Sequence, residues 1–133
     1  MGTLETRPTD EVAGVRTPSG NASCMAWVPE EATSTQMRCS IAEMAGPDLP
    51  RPERAECDWH GGRLFQLPRT GPGSRTSFCD ALPADPTYRD ETLAYGSIWR
   101  HGPFTCLSSR LGLLCTNLDG HGLFLSREQQ HAF

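Results

Sequence analysis

The chain contains no lysine. All twelve of its basic residues are arginine, set against sixteen aspartates and glutamates, for a net charge of −4 over 133 residues. Arginine in place of every lysine fits a GC-rich genome and carries no mechanism. The arginines are also scattered, whereas a nucleic-acid surface needs a basic stripe, so no nucleic acid is expected as a partner. Long apolar runs are missing too. No window approaches the roughly 18 apolar residues of a membrane-spanning helix, so the chain is not expected to span a membrane. The first residues, Met1-Gly2-Thr3-Leu4-Glu5-Thr6-Arg7-Pro8, lack the apolar core of an export signal. Core formers are scarce, at 37% of the chain. No segment longer than the last eight residues reads as helix.

What the chain has in excess is turn formers and cysteine. Glycine and proline number 13 and 11, together about 18% of the sequence against roughly 12% in an average protein. At this length one domain is expected, built of short elements joined by loops. Such a fold has a thin core and gains from covalent staples, and the six cysteines supply an even number. Cysteines in that number suggest export, which conflicts with the missing signal. Either a signal was removed and replaced by an initiating Met, which is the favoured reading, or the protein leaves its cell by another route, as a virion component would.

Residues 1–13 are polar and aperiodic and read as a flexible N-terminal tail; 14–133 read as a single disulfide-stabilised domain. Pro18-Ser19-Gly20-Asn21 is a turn. Ser23 to Val28 and Thr35 to Ala42 are strands flanking the turn 29–34. In the hairpin they form, Cys24 faces Cys39, Met25 faces Arg38 and Trp27 faces Gln36. Directly opposed residues lie about 4.5–5.5 Å apart at Cα, within disulfide reach. Residues 43–56, with Gly46, Pro47, Pro50 and Pro52, form a stiff loop. Cys57 to Leu67 reads as two short strands around Gly61-Gly62, and a further strand over 74–80 carries Cys79. Pro83 and Pro86 lie in the loop 82–91. A second hairpin sets Cys106 against Cys115 and Leu107 against Leu114, with its turn at Ser109-Arg110-Leu111-Gly112 and Gly112 placed for positive φ. Cys57 then pairs with Cys79. Six cysteines allow 15 connectivities, and hairpin geometry prefers this sequential set. Residues 126–133 read as a helical turn or a disordered tail, with Phe133 a candidate to dock on the sheet.

Several of these pieces occur together in one order: Thr17-Pro18-Ser19-Gly20-Asn21-Ala22-Ser23-Cys24, Met37-Arg38-Cys39-Ser40, Cys57-Asp58-Trp59, Leu93-Ala94-Tyr95-Gly96, Phe104-Thr105-Cys106, Gly112-Leu113-Leu114-Cys115-Thr116-Asn117, and Gly120-His121-Gly122 with Ser126-Arg127. From Val15 to Phe133 the chain resembles a family of small secreted or lipid-anchored actinobacterial proteins of unassigned function. It departs from that pattern at Ala22, where a branched apolar residue is usual, at Leu114, where Thr is common, and at Leu123, where Phe is common. The resemblance implies an exported, disulfide-bonded domain and supplies no activity.

Candidate chemistry is sparse. Asn117, Asp119 and His121 sit in one glycine-bracketed loop, where an Asp and a His two apart suit a metal or acid–base work. Against that, Asn117-Leu118-Asp119-Gly120 also reads as a self-bonded turn, with His121 between glycines because the chain passes close to another strand; this second reading is preferred. Asp58 and His60 flank Trp59 and share a strand face, which suits a metal-ligand pair, but Asp-Trp-His-Gly-Gly also reads as a plain hairpin turn with Trp59 in the core, and the turn is preferred. His101 lies in a turn and His131 in the tail. Ser19 and Ser108-Ser109 stand in no nucleophile elbow, Gly71-Pro72-Gly73 opens no phosphate-binding helix, and an even cysteine count argues against a catalytic thiol. Asn21-Ala22-Ser23 fits a glycosylation sequon that the bacterial resemblance discounts. Trp27, Trp59, Trp99, Tyr88 and Tyr95 are candidates for an exposed platform, with at least two of the tryptophans expected in the core.

The expectation is therefore an all-β fold, a small sandwich or rolled sheet of seven or eight short antiparallel strands stapled by three disulfides. Its expected role is an extracellular or surface-displayed binding module without catalysis or cofactor. An edge strand or the loops 43–56 and 81–91 would meet a protein or cell-envelope partner. The alternative is a structural accessory of a larger particle such as a phage capsid or tail; a small secreted hydrolase or an enzyme inhibitor comes third.

Overall fold

The computed structural model describes residues 2–5, 12–29, 35–47, 63–76 and 90–133. The described residues contain no helix and form twelve strands: β1 (Thr3–Glu5), β2 (Val12–Arg16), β3 (Ala22–Trp27), β4 (Gln36–Ile41), β5 (Leu64–Pro68), β6 (Ser74–Thr76), β7 (Asp90–Thr92), β8 (Ile98–His101), β9 (Phe104–Ser109), β10 (Gly112–Thr116), β11 (Gly122–Leu125) and β12 (Gln130–Ala132). They assemble into two six-stranded sheets, one ordered β1-β8-β9-β10-β11-β12 and the other β6-β5-β4-β3-β2-β7. All neighbours run antiparallel except the pairs β1–β8 and β2–β7, which are parallel. Both parallel pairs lie at a sheet edge.

Alternation decides which side chains meet between the sheets. In the first sheet the inward row across β8 to β11 is Trp99, Cys106, Cys115 and Leu123, each fully buried. In the second it runs Val15, Cys24, Cys39 and Phe65. Leu67, Leu93, Phe104, Leu113 and Leu125 complete one continuous core shared by the two sheets.

Both hairpin registers read from the sequence are present. Cys24 pairs with Cys39, Met25 with Arg38 and Trp27 with Gln36; Cys106 pairs with Cys115 and Leu107 with Leu114. Each cysteine pair is a disulfide with its Cα atoms 4.0 Å apart. Cys57 and Cys79, with Asp58 and His60, lie outside the described residues.

The strand count differs from the expected seven or eight because the sheet edges are built from three-residue strands. Thr3–Glu5, expected in a tail, runs alongside Ile98–Arg100, and Asp90–Thr92, at the end of an expected loop, runs alongside Gly14–Arg16. Residues 126–133 are neither helical nor free. The Ser126 hydroxyl donates to the Gln129 carbonyl and accepts from the Gln129 N–H, at 3.0 Å each. That local turn returns the chain as β12 against Leu123–Leu125. Phe133 does dock. Its carbonyl accepts from Gly122 N–H at 2.9 Å in its own sheet and, at 3.0 Å, from the N–H of Gly73, which immediately precedes β6 of the facing sheet.

Candidate functional site

Asn117, Asp119 and His121 are brought together as a structural knot. The Asn117 side chain is buried and its amide donates to the Pro68 carbonyl at 3.0 Å and the Gly71 carbonyl at 2.9 Å. Its Oδ1 accepts from the Asp119 and His121 backbone N–H groups at 3.3 and 3.1 Å. Asp119 accepts from Gly71 N–H at 2.9 Å through Oδ2. One side chain thus ties the β10–β11 turn to the loop after β5. Gly120 has φ +82°, a left-handed conformation that the turn requires. A Cβ on Gly122 would overlap the Cys115 carbonyl oxygen, so this glycine marks a close crossing of strands. His121 joins the knot through its backbone.

The four described cysteines form a second cluster. The sulfurs of Cys24, Cys39 and Cys115 lie within 4.8 Å of one another, so the bridge of one sheet rests on the bridge of the other at the centre of the core. The spacing would suit thiolates around a soft metal, but metal ligation needs deprotonated thiols and these are oxidised to disulfides. In this state the cluster holds the two layers together.

The third place was not legible as a site. At one end of the sandwich a cleft of about 190 Å³ opens between the β2–β3 turn, with Thr17 and Ser19, and the other sheet's Tyr95, Arg110 and Leu111, with Glu128 also on its wall. Its walls are fixed. Asn21 accepts from Glu43 N–H at 2.8 Å and donates to the Glu43 carbonyl at 3.0 Å. Glu43 pairs with Arg127 at 2.8 Å across the sheets, and Ala45 N–H donates to the Arg127 carbonyl at 2.7 Å.

Over this cleft stands the β9–β10 turn, whose tip is Arg110-Leu111. Such tips favour Gly, Asn and Asp, yet here Leu111 is 80% exposed. Both tip residues keep negative φ, and Gly112 follows with φ 152°. The Ser109 hydroxyl holds the turn by accepting from Leu111 N–H and donating to the Gly112 carbonyl, at 3.2 Å each. The guanidinium carbon of Arg110 lies 5.0 Å from the centre of the Tyr95 ring, a cation–π contact that limits its freedom. Behind the tip, the outward face of the first sheet carries a lateral row: Ile98, Leu107, Leu114, Phe124 and His131, each opposite the next. In the sequence Tyr95 is one of several candidate platform aromatics. The one sequence signal for the rest is an apolar residue, Leu111, at a turn tip where Gly, Asn or Asp is usual.

No family model matches the chain, and neither a curated protein nor a solved structure matches it. The resemblance noted in the sequence therefore rests on the quoted residues alone. No helix among the described residues is long and apolar enough to cross a membrane.

Proposed function

We propose that the protein is a non-catalytic extracellular or surface-displayed binding module that meets a protein or cell-envelope partner through the β9–β10 tip and the sheet face behind it. The observation that carries this reading is Leu111, 80% exposed at a turn tip beside an arginine held on an aromatic ring. The fold has no use for a large apolar side chain there. Interfaces do: their energetic centres are rich in Tyr and Arg and in apolar anchors entering a partner's pocket. The row Ile98–Leu107–Leu114–Phe124 extends the apolar surface across the open face of the sheet. Buried disulfides suit an oxidising compartment and support the extracellular assignment.

The test is capture from cell-envelope extract on immobilised protein, read as a saturation curve. The parent chain should give saturable capture, and L111N should weaken it at least about tenfold, as loss of a central anchor does. The melting temperature should stay within about 2 °C, because an exposed tip contributes little to folding. Capture that never saturates, or that L111N leaves unchanged, would sink the proposal.

A further inference from the structure

Resting on that reading, we infer that the tip cleft recognises a carboxylate carried next to an apolar group, on a peptide or protein partner. The polar groups of the cleft are mostly committed. Asn21 is clamped to Glu43, Ser109 and Ser126 hold their own turns, and the Thr17 and Ser19 hydroxyls bond each other at 3.3 Å. Among the described residues Arg110 has neither an ion pair nor a hydrogen bond, and its contact is with the Tyr95 ring. A guanidinium offers five N–H donors in a planar fork that matches a carboxylate in two bonds. Held on the ring, it loses less freedom when it binds.

The surroundings choose among anions. Arg127 is taken by Glu43 and Glu128 stands on the wall, so a doubly charged phosphate meets one available cation and a repelling acid. A singly charged carboxylate needs one fork. Tyr95, a residue 39% exposed, and Leu111 on the same cleft supply apolar contact for the group that carries the carboxylate. At about 190 Å³ the cleft is smaller than the roughly 300–1,000 Å³ of sites that enclose a whole small ligand. It suits one group of a larger partner.

The experiment follows backbone amide shifts of the full chain during titration with four probes. N-acetyl-leucine presents a chain-terminal carboxylate, and the blocked dipeptide N-acetyl-Leu-Glu-amide presents a side-chain one. N-acetyl-leucinamide and inorganic phosphate are the neutral and polyanionic controls. Saturable shifts at Gly96 and Ser109–Gly112 with either carboxylate probe, and neither control, are expected, and the stronger of the two identifies the source. R110Q should weaken that binding at least about tenfold, while R69Q, at the far end of the sandwich, should leave it unchanged. Equal binding of the amide or of phosphate, shifts centred elsewhere, or binding indifferent to R110Q would each overturn the assignment. If no carboxylate probe binds while extract capture still saturates and still depends on Leu111, the ligand class fails and the binding module stands.

Discussion

The knot at Asn117 permits a test sharp enough to fail. In N117D the shape and the accepting Oδ1 are kept, while the amide nitrogen becomes a carboxylate oxygen facing the Pro68 and Gly71 carbonyls, which now stand 3.0 and 2.9 Å from that nitrogen. Two hydrogen bonds are lost and two poorly solvated acceptors lose their donor, at about 1–3 kcal/mol each. The expected loss at neutral pH is about 3 kcal/mol. An unfolding entropy of about 2.1 cal/mol/K per residue over 133 residues turns this into a fall of roughly 11 °C in melting temperature. The pH dependence is the discriminating part. Burial and the two carbonyl oxygens at 2.9–3.0 Å disfavour the charged form of the new acid more than the two longer N–H bonds to Oδ1 favour it, so its folded pKa lies above the unfolded value of about 3.9. A raised folded pKa makes the deficit small below about pH 3.9, where the acid is neutral in both states and donates to one carbonyl. The deficit grows as pH rises through the folded pKa. Thermal melts of the parent, N117D and N117A from pH 3 to 7 read this directly, since only N117D should lose ground as pH rises. A deficit for N117D that is flat across that range, or under about 1 kcal/mol at pH 7, would refute the bonding assigned to the amide. H121A, which removes a side chain and keeps the backbone bonds, should cost within about 0.5 kcal/mol.

Two further outcomes follow from the core. G122A places a methyl group on the Cys115 carbonyl, so it should either fail to fold or melt well below the parent, by more than N117D; a parent-like melt would mean that the β10–β11 crossing is looser than described. The double variants C24A/C39A and C106A/C115A, which release loops of 15 and 9 residues, should lose about 3.0 and about 2.6 kcal/mol by chemical denaturation, and removing both pairs should be non-additive because the bridges touch.

Local pairings were legible and distant ones were not. The Cys24–Cys39 and Cys106–Cys115 registers join strands separated by a short turn, so alternation and the cysteine positions fix them together. By contrast, β1 and β7 are three residues each and pair in parallel with strands far along the chain, at Ile98–Arg100 and Gly14–Arg16. Three residues carry too little periodicity to announce a strand. β12 was hidden because its direction depends on the Ser126 hydroxyl closing a turn, while Ser-Arg-Glu-Gln-Gln read alone suits a helix equally well. In the knot, turn chemistry accounts for the local bonds of Asn117 and Asp119, but the central role of Asn117 depends on the Pro68 and Gly71 carbonyls, almost fifty residues away in sequence. In sequence the tip is a plain turn, because its cationic and aromatic members, Arg110 and Tyr95, meet only after β8 and β9 pair.

The stacked disulfides also make the sandwich a timekeeper. The four described cysteines are fully shielded from solvent, and reduction requires a thiolate to reach a sulfur. Once the reductant is abundant, adding more cannot quicken the reaction. Its rate becomes the rate at which the two sheets part, and the first parting exposes both bridges at once. In that regime the lifetime of the bridges is independent of the environment's reducing power and is set by the packing between Trp99, Phe65 and the two bridges.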